Sequence, residues 1–178
     1  MRFSSWESLD NTKLRFNVRT FEGATMHDEF KGQAALDGPG ARGEARFVVP
    51  PDSTVALPAG TMFPTEHVRR LIEAASQGAK VASHAVFDGS GLDALTHVTA
   101  AIAEARTVPA GPDGAAEQRW PVSLAYYKSA KDDVLPEFEI SFELSDRGVL
   151  YDVLLNYGDF ALKADLEKLE VLPPPACG

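Results

Sequence analysis

The chain has 178 residues, 44% hydrophobic and 24% charged, which is the make-up of one ordinary globular domain long enough to bury a core. Its formal charge of −9 argues against a general nucleic-acid binder, and its one cysteine, Cys177, allows no internal disulfide. No apolar run approaches the roughly 20 residues of a membrane-spanning helix, and Met1 to Glu7 hold no apolar stretch of the kind that heads a secretory signal.

The negative charge is uneven. Residues 1–49 carry seven basic and seven acidic groups, whereas residues 129–178 carry four and eleven. Such an acidic block reads first as a solvated face. The alternative is a surface that pairs with a basic one elsewhere in the protein or its complex.

Periodicity of two dominates from the start. Leu14, Phe16 and Val18 alternate with Lys13, Arg15, Asn17 and Arg19, which predicts a strand with one apolar face. Residues 21–25 turn, and Met26 to Leu36 return as a more polar strand. Asp37-Gly38-Pro39-Gly40 breaks it, and Glu44 to Val49 form a further strand ended by Pro50-Pro51. Short strands joined by tight turns indicate an antiparallel meander.

A helix is predicted over 66–77. Thr65 is placed to cap it, Glu66 suits the positive end of its dipole, and Gly78 supplies a left-handed stop. Val68, Leu71, Ile72 and Ala75 follow the i, i+3, i+4, i+7 stripe that would lie on a sheet, leaving Arg69, Arg70 and Glu73 outside. The stretch 92–106 stays open between helix and strand, because its alanines favour one and the alternation of Val98, Ala100 and Ile102 the other. Residues 109–114 form a loop, and Trp120, Val122, Leu124 and Tyr126 resume period two.

The firmest prediction is a hairpin. Glu137 to Leu144 alternate glutamates with Phe138, Ile140, Phe142 and Leu144, a turn over 145–148 follows, and Val149, Tyr151, Val153, Leu155 and Tyr157 line one face of the return strand.

Chemistry is harder to find. His27, His67, His84 and His97 have no short metal-site spacing, and neighbours in His27-Asp28-Glu29 point to opposite faces of a strand. His67 reads as a solvent-facing residue of the helix start; His84 and His97 read as structural histidines in strands. Gly89-Ser90-Gly91 is a turn rather than a nucleophile elbow, and Cys177 has no adjacent histidine to activate it. Asp132-Asp133 and the row Glu137, Glu139, Glu143 could suit a glycosidase, but glutamates on one strand face read more simply as a surface row. No cofactor or metal site is expected, and no catalytic residue is assigned.

Several segments together resemble one family. Leu57 to His67, Val86-Phe87-Asp88-Gly89-Ser90, Trp120-Pro121-Val122, Pro136 to Glu139, Tyr157-Gly158-Asp159-Phe160, Leu169 to Pro173 and Cys177 resemble the EipB-like cell-envelope integrity proteins of alphaproteobacteria. Trp6-Glu7-Ser8 and Leu14 to Asn17 match as well. The resemblance implies a periplasmic, non-enzymatic protein with a mainly β fold: a strongly curved antiparallel β-spiral, similar to lipoprotein carriers of the Lol type, with the helix against its interior. It also implies further strands before residue 1, so the single domain 1–178 is expected to be incomplete at its amino-terminal side. A cysteine there would pair with Cys177. On this basis the expected function is support of the envelope by binding a lipid-like, glycan or protein partner on the concave side, lined after core packing by Phe138, Phe142, Tyr151 and Tyr157, or else as a scaffold without a small-molecule ligand. The competing reading is an envelope hydrolase acting through Glu139 or Asp159.

Overall fold

The computed structural model describes residues 2–92, 96–109, 116–127, 135–157 and 160–165. Asp132, Asp133, Asp159 and Cys177 lie outside them, and with them the expectations that rest on those side chains.

The first half is a five-stranded antiparallel sheet whose spatial order follows the chain: β1 (Arg2–Glu7), β2 (Lys13–Glu22), β3 (Thr25–Leu36), β4 (Gly43–Val49) and β5 (Thr54–Leu57). This is the meander that the alternation predicts, with β1 and β5 added to it. Leu14, Phe16 and Val18 are buried, and Ala34, Leu36, Ala45, Phe47, Val55 and Leu57 join them on the same face. Lys13, Arg15 and Arg19 point the other way and are exposed.

Then β6 (Thr61–Met62) leads into the helix α1 (Pro64–Ser76) and back along β7 (Val81–Val86), parallel to β6. From β7 the second sheet runs through β8 (Thr96–Ile102), β10 (Glu117–Tyr127), β11 (Phe138–Ser145), β12 (Leu150–Tyr157) and β13 (Phe160–Ala164), all antiparallel, with the short β9 (Arg106–Val108) also on β10. The open stretch 92–106 is thereby settled for its central part. Thr96–Ile102 is a strand hydrogen-bonded on both sides, with Val98, Ala100 and Ile102 in the core. Tertiary pairing overrides the helical preference of its alanines.

The protein is thus mainly β, with curved antiparallel sheets that do not close among the described residues. The helix lies on the inner face of the second sheet. Leu71 and Ala75 are buried against Val86, Val98, Ala100, Trp120 and Phe142, with Val68 and Ile72 half-buried at the margin. Arg69 and Arg70 are exposed as predicted, Glu73 is half-buried, and Gly78 takes φ +76° just past the helix end. Phe63, between β6 and the helix, and Phe87, just past β7, turn instead into the first sheet's core.

Two local predictions need correction. Thr65 does not cap the helix: Phe63 is the N-cap residue and makes no side-chain cap, and Pro64 opens the first turn. The cap comes from far away in sequence, since the Thr65 backbone N–H donates to both carboxylate oxygens of Glu7 in β1, at 3.2 and 3.1 Å. The return strand of the hairpin does not keep one face either. Glu143 pairs with Tyr151 but Ser141 with Leu154, so β12 carries a bulge, and Asp152 sits there at φ +51°. A bulge swaps the faces on either side of it. Tyr151 therefore stands on the outer face beside Glu143, while Val153, Leu155 and Tyr157 stand on the inner one.

Candidate functional site

Beyond the helix, the inner face of the second sheet continues as an aromatic shelf. Tyr126 and Phe138, opposite each other on β10 and β11, stack with centroids 4.3 Å apart, and Phe138 meets Tyr157 at 6.4 Å. Tyr157 pairs with Phe160 and Leu155 with Leu162, which extends the same face onto β13. Tyr157 is 60% exposed, Phe160 58% and Leu162 47%. The shelf thus passes from half-buried to open as it leaves the helix. Burial, reinforced by the nearby Asp88 carboxylate, pushes the Tyr126 hydroxyl up to about 12, so it stays a neutral hydrogen-bonding group at any physiological pH.

Of the four residues expected to line a concave site, only Phe138 and Tyr157 do so. Phe142 is buried in the core under the helix, and Tyr151 is removed to the outer face by the bulge. Phe160 and Leu162 were missed because a five-residue edge strand after a hairpin carries no separate pattern of its own.

A second cluster lies on the outer face. Arg119 places its guanidinium carbon 3.6 Å from the Tyr151 ring centroid, holds the buried Glu117 at 2.5 Å, and approaches Glu143 at 3.7 Å. Arg106 closes tightly on the other Glu143 oxygen. Desolvation, then the Glu117 carboxylate, raise the Tyr151 pKa. Two carboxylates and two guanidiniums thus hold one another in a single half-buried cluster. The glutamate row is accordingly split: Glu137 and Glu139 are exposed, but the Glu143 side chain is only 14% exposed. A uniform surface row it is not.

The histidines also divide. His27 bonds to Glu22 at 2.9 Å, while Asp28 and Glu29 go to Thr20 and Arg19, so that trio diverges. His67 is not solvent-facing but 5% exposed, with its ring perpendicular to that of His84 at 5.1 Å. His67 Nε2 and His84 Nδ1 are both buried, with no hydrogen-bond partner among the described residues. Desolvation, with His84 adding to it, pushes the His67 pKa down to about 4; desolvation, then Arg70, lower that of His84. Helical phase could have revealed this, because His67, Leu71 and Ala75 are four apart. Among the described residues, no three or more metal-ligating side chains converge. Gly89-Ser90-Gly91 is a turn, with the Ser90 N–H on Asp88 Oδ1 at 2.8 Å.

The comparisons match this geometry. A family model described as EipB-like matches residues 1–173. The cell envelope integrity protein EipB of Brucella abortus (strain 2308) is 29% identical over 175 residues, covering 94% of this chain. The chain spans 61% of that relative's length. A crystal structure of a β-barrel-like protein of a domain of unknown function, also from Brucella abortus, superposes with a TM-score of 0.83 at 30% identity, covering 96% of this chain and 72% of the other. By its sequence over nearly its whole length, and by its fold, the chain belongs to the EipB-like family.

Proposed function

We propose that this chain is a non-catalytic, periplasmic binding unit that supports envelope integrity by holding an apolar envelope component on the aromatic shelf of Tyr126, Phe138, Tyr157 and Phe160. The observation that carries the reading is the shelf itself: stacked rings anchored in the core at one end and left open at the other. Large exposed apolar side chains gathered on one face favour a lipid-like chain or an apolar protein segment over a hydrophilic ligand. The relative's name supports the envelope role and, with it, the periplasm. The hydrolase reading has less behind it, since Glu139 stands exposed on the face away from the shelf, and Glu143 is locked between arginines.

Complementation tests the proposal. In a strain deleted for the gene and sensitised to detergent, the parent gene should restore resistance. Tyr157→Lys with Phe160→Lys should fold but restore little. If Glu139→Gln alone abolished rescue in a stably folded protein, the hydrolase reading would replace this one. The family resemblance further supports a bridge from Cys177 to a cysteine upstream of this chain. Such a link closes a loop longer than ~100 residues and stabilises by roughly 4 to 5 kcal/mol in the chain-entropy model. Thiol titration of the oxidised full-length protein should find Cys177 unreactive; a freely titrating thiol would refute the bridge.

A further inference from the structure

The outer face of the first sheet inverts the charge of the chain. Among the described residues, Arg2, Lys13, Arg15, Arg19, Lys31, Arg42 and Arg46 lie on it or at its rim, with Glu29, Asp37 and Glu44 between them, in a protein whose formal charge is −9. Arg19 is paired with Glu29 at 2.7 Å, Arg42 with Asp37 at 3.6 Å, and Arg46 closely with Glu44. Arg2, Lys13, Arg15 and Lys31 have no carboxylate partner among the described residues. The segment 1–49 is neutral as sequence, but the pleat sorts its cations to one side.

The face is also grooved. Depressions of about 760 and 320 Å³ adjoin on it and share Trp6, Arg15 and Gln33. Trp6 is 54% exposed, and its ring is steadied by the Arg15 guanidinium 5.5 Å from the centroid. Lys13, Gln33, Asp37 and Arg42 line the larger of the two depressions.

We infer that this groove binds an elongated anionic glycan, carrying carboxylate or phosphate groups along a sugar backbone. An open indole is a platform for the C–H face of a sugar ring. Gln33 offers an amide donor and acceptor to sugar hydroxyls, and the carboxylates of Asp37 and Glu44, each held by one arginine, keep further lone pairs to accept from them. Lys13, Arg15 and Lys31, without a carboxylate partner among the described residues, can take anions by charge-assisted hydrogen bonds. A bilayer surface would use the cations and the indole but not the polar Gln33 between the two depressions, and an acidic peptide has no sugar ring to stack on Trp6. The site lies on the opposite face of a different sheet from the aromatic shelf, so it stands or falls independently of that reading.

The test is titration of the full-length protein with a short oligogalacturonate at low and at physiological salt, followed by tryptophan fluorescence and calorimetry. Binding should weaken with salt and exceed that of a neutral malto-oligosaccharide of equal length. Trp6→Ala and the pair Lys13→Glu, Lys31→Glu should each lower affinity by about tenfold or more, the size of one lost charge-assisted or stacking contact. All three positions are exposed, so these variants should fold. Tyr157→Lys on the shelf should leave the affinity unchanged. Several results would overturn the inference: no binding even at low salt, equal binding of the neutral sugar, binding indifferent to Trp6→Ala, or capture of anionic phosphatidylglycerol vesicles in place of the oligosaccharide.

Discussion

The two sheets bury their inner faces by different means. The first is filled with rings: Phe16 meets Phe47 at 5.1 Å and Phe87 at 5.7 Å, and Phe47 meets Phe30 and Phe87 at 6.4 Å, all edge to face. The second is filled mostly with aliphatic side chains and lidded by the helix. The βαβ unit joins the two, because Phe63 and Phe87 enter the ring-filled core while Leu71 and Ala75 between them enter the other. A segment whose ends and middle belong to different cores couples them. Polarity differs as well. The first sheet turns cations outward and, among the described residues, buries no charged side chain, whereas the second carries the Arg119 cluster outside and the His67–His84 pair between the helix and β7.

Cavities at the joint should break this coupling most severely. Phe63 is fully buried in the first core and Leu71 is 1% exposed in the second. Phe63→Ala should cost about 3 to 5 kcal/mol and Leu71→Ala about 2 to 5 kcal/mol. If the helix unit couples the cores, each variant should shift one shared unfolding transition, seen alike by far-ultraviolet dichroism and, in a Trp6→Phe background, by the fluorescence of Trp120. Two separate transitions after Leu71→Ala, with only the second sheet melting early, would show the cores to be independent.

Acid should distinguish the halves next. The His67 pKa falls from the ordinary 6.5 to about 4 in the fold, so the unfolded chain takes up a proton across that window that the folded chain refuses. Stability then rises with pH between about 4 and 6.5 and is lost as pH falls, by at most about 1.4 kcal/mol per pH unit for this one group. His84 is shifted in the same direction and adds to the slope. Glu66, held low chiefly by its hydrogen bond from Arg69, adds a loss of its own only as pH falls below its ordinary 4.5. Hydrogen exchange at pH 5 should therefore loosen α1 and β7 before β2 to β4. His67→Leu should flatten the slope; an unchanged slope would place its cause elsewhere.

Within the second sheet, the glutamates give a finer contrast. Glu143→Gln leaves Arg106 and Arg119 short of one carboxylate in a half-buried cluster and should cost about 1 to 3 kcal/mol in thermal or urea unfolding. Glu139→Gln, exposed on the same strand, should change stability by less than about 0.5 kcal/mol. Equal effects would mean that the row is one uniform surface after all.

What was legible in the sequence follows the same divide. Strands with one wet face, such as Lys13–Glu22 and Phe138–Ser145, declare themselves by alternation, and so did the helix stripe at Leu71 and Ala75. Thr96–Ile102 stayed ambiguous because a central strand of alanines and threonines has no strong local preference, and only its two neighbours decide it. The bulge at Asp152 left no mark at all, and it alone moved Tyr151 from the inner to the outer face. The shelf on β13 and the Arg119 cluster likewise depend on pairing across strands, which periodicity along one strand does not encode.

The helix cap shows the limit most plainly, and its removal is the smallest effect expected. A sequence reading looks for the cap within a few residues of the first turn and so chooses Thr65. The carboxylate that the Thr65 N–H reaches belongs instead to Glu7, 58 positions away, because β1 ends beside the start of α1. An anion at a helix start both accepts the free N–H and opposes the helix dipole. Glu7→Gln keeps an acceptor and loses the charge, so it should cost about 0.3 to 1 kcal/mol, and less at high salt. Glu7→Ala removes both and should cost about 1 kcal/mol. Thr65→Ala, which deletes only the hydroxyl and leaves the donating backbone N–H in place, should be nearly silent. A larger loss from Thr65→Ala than from Glu7→Ala would restore the local cap and remove this link between the first sheet and the helix.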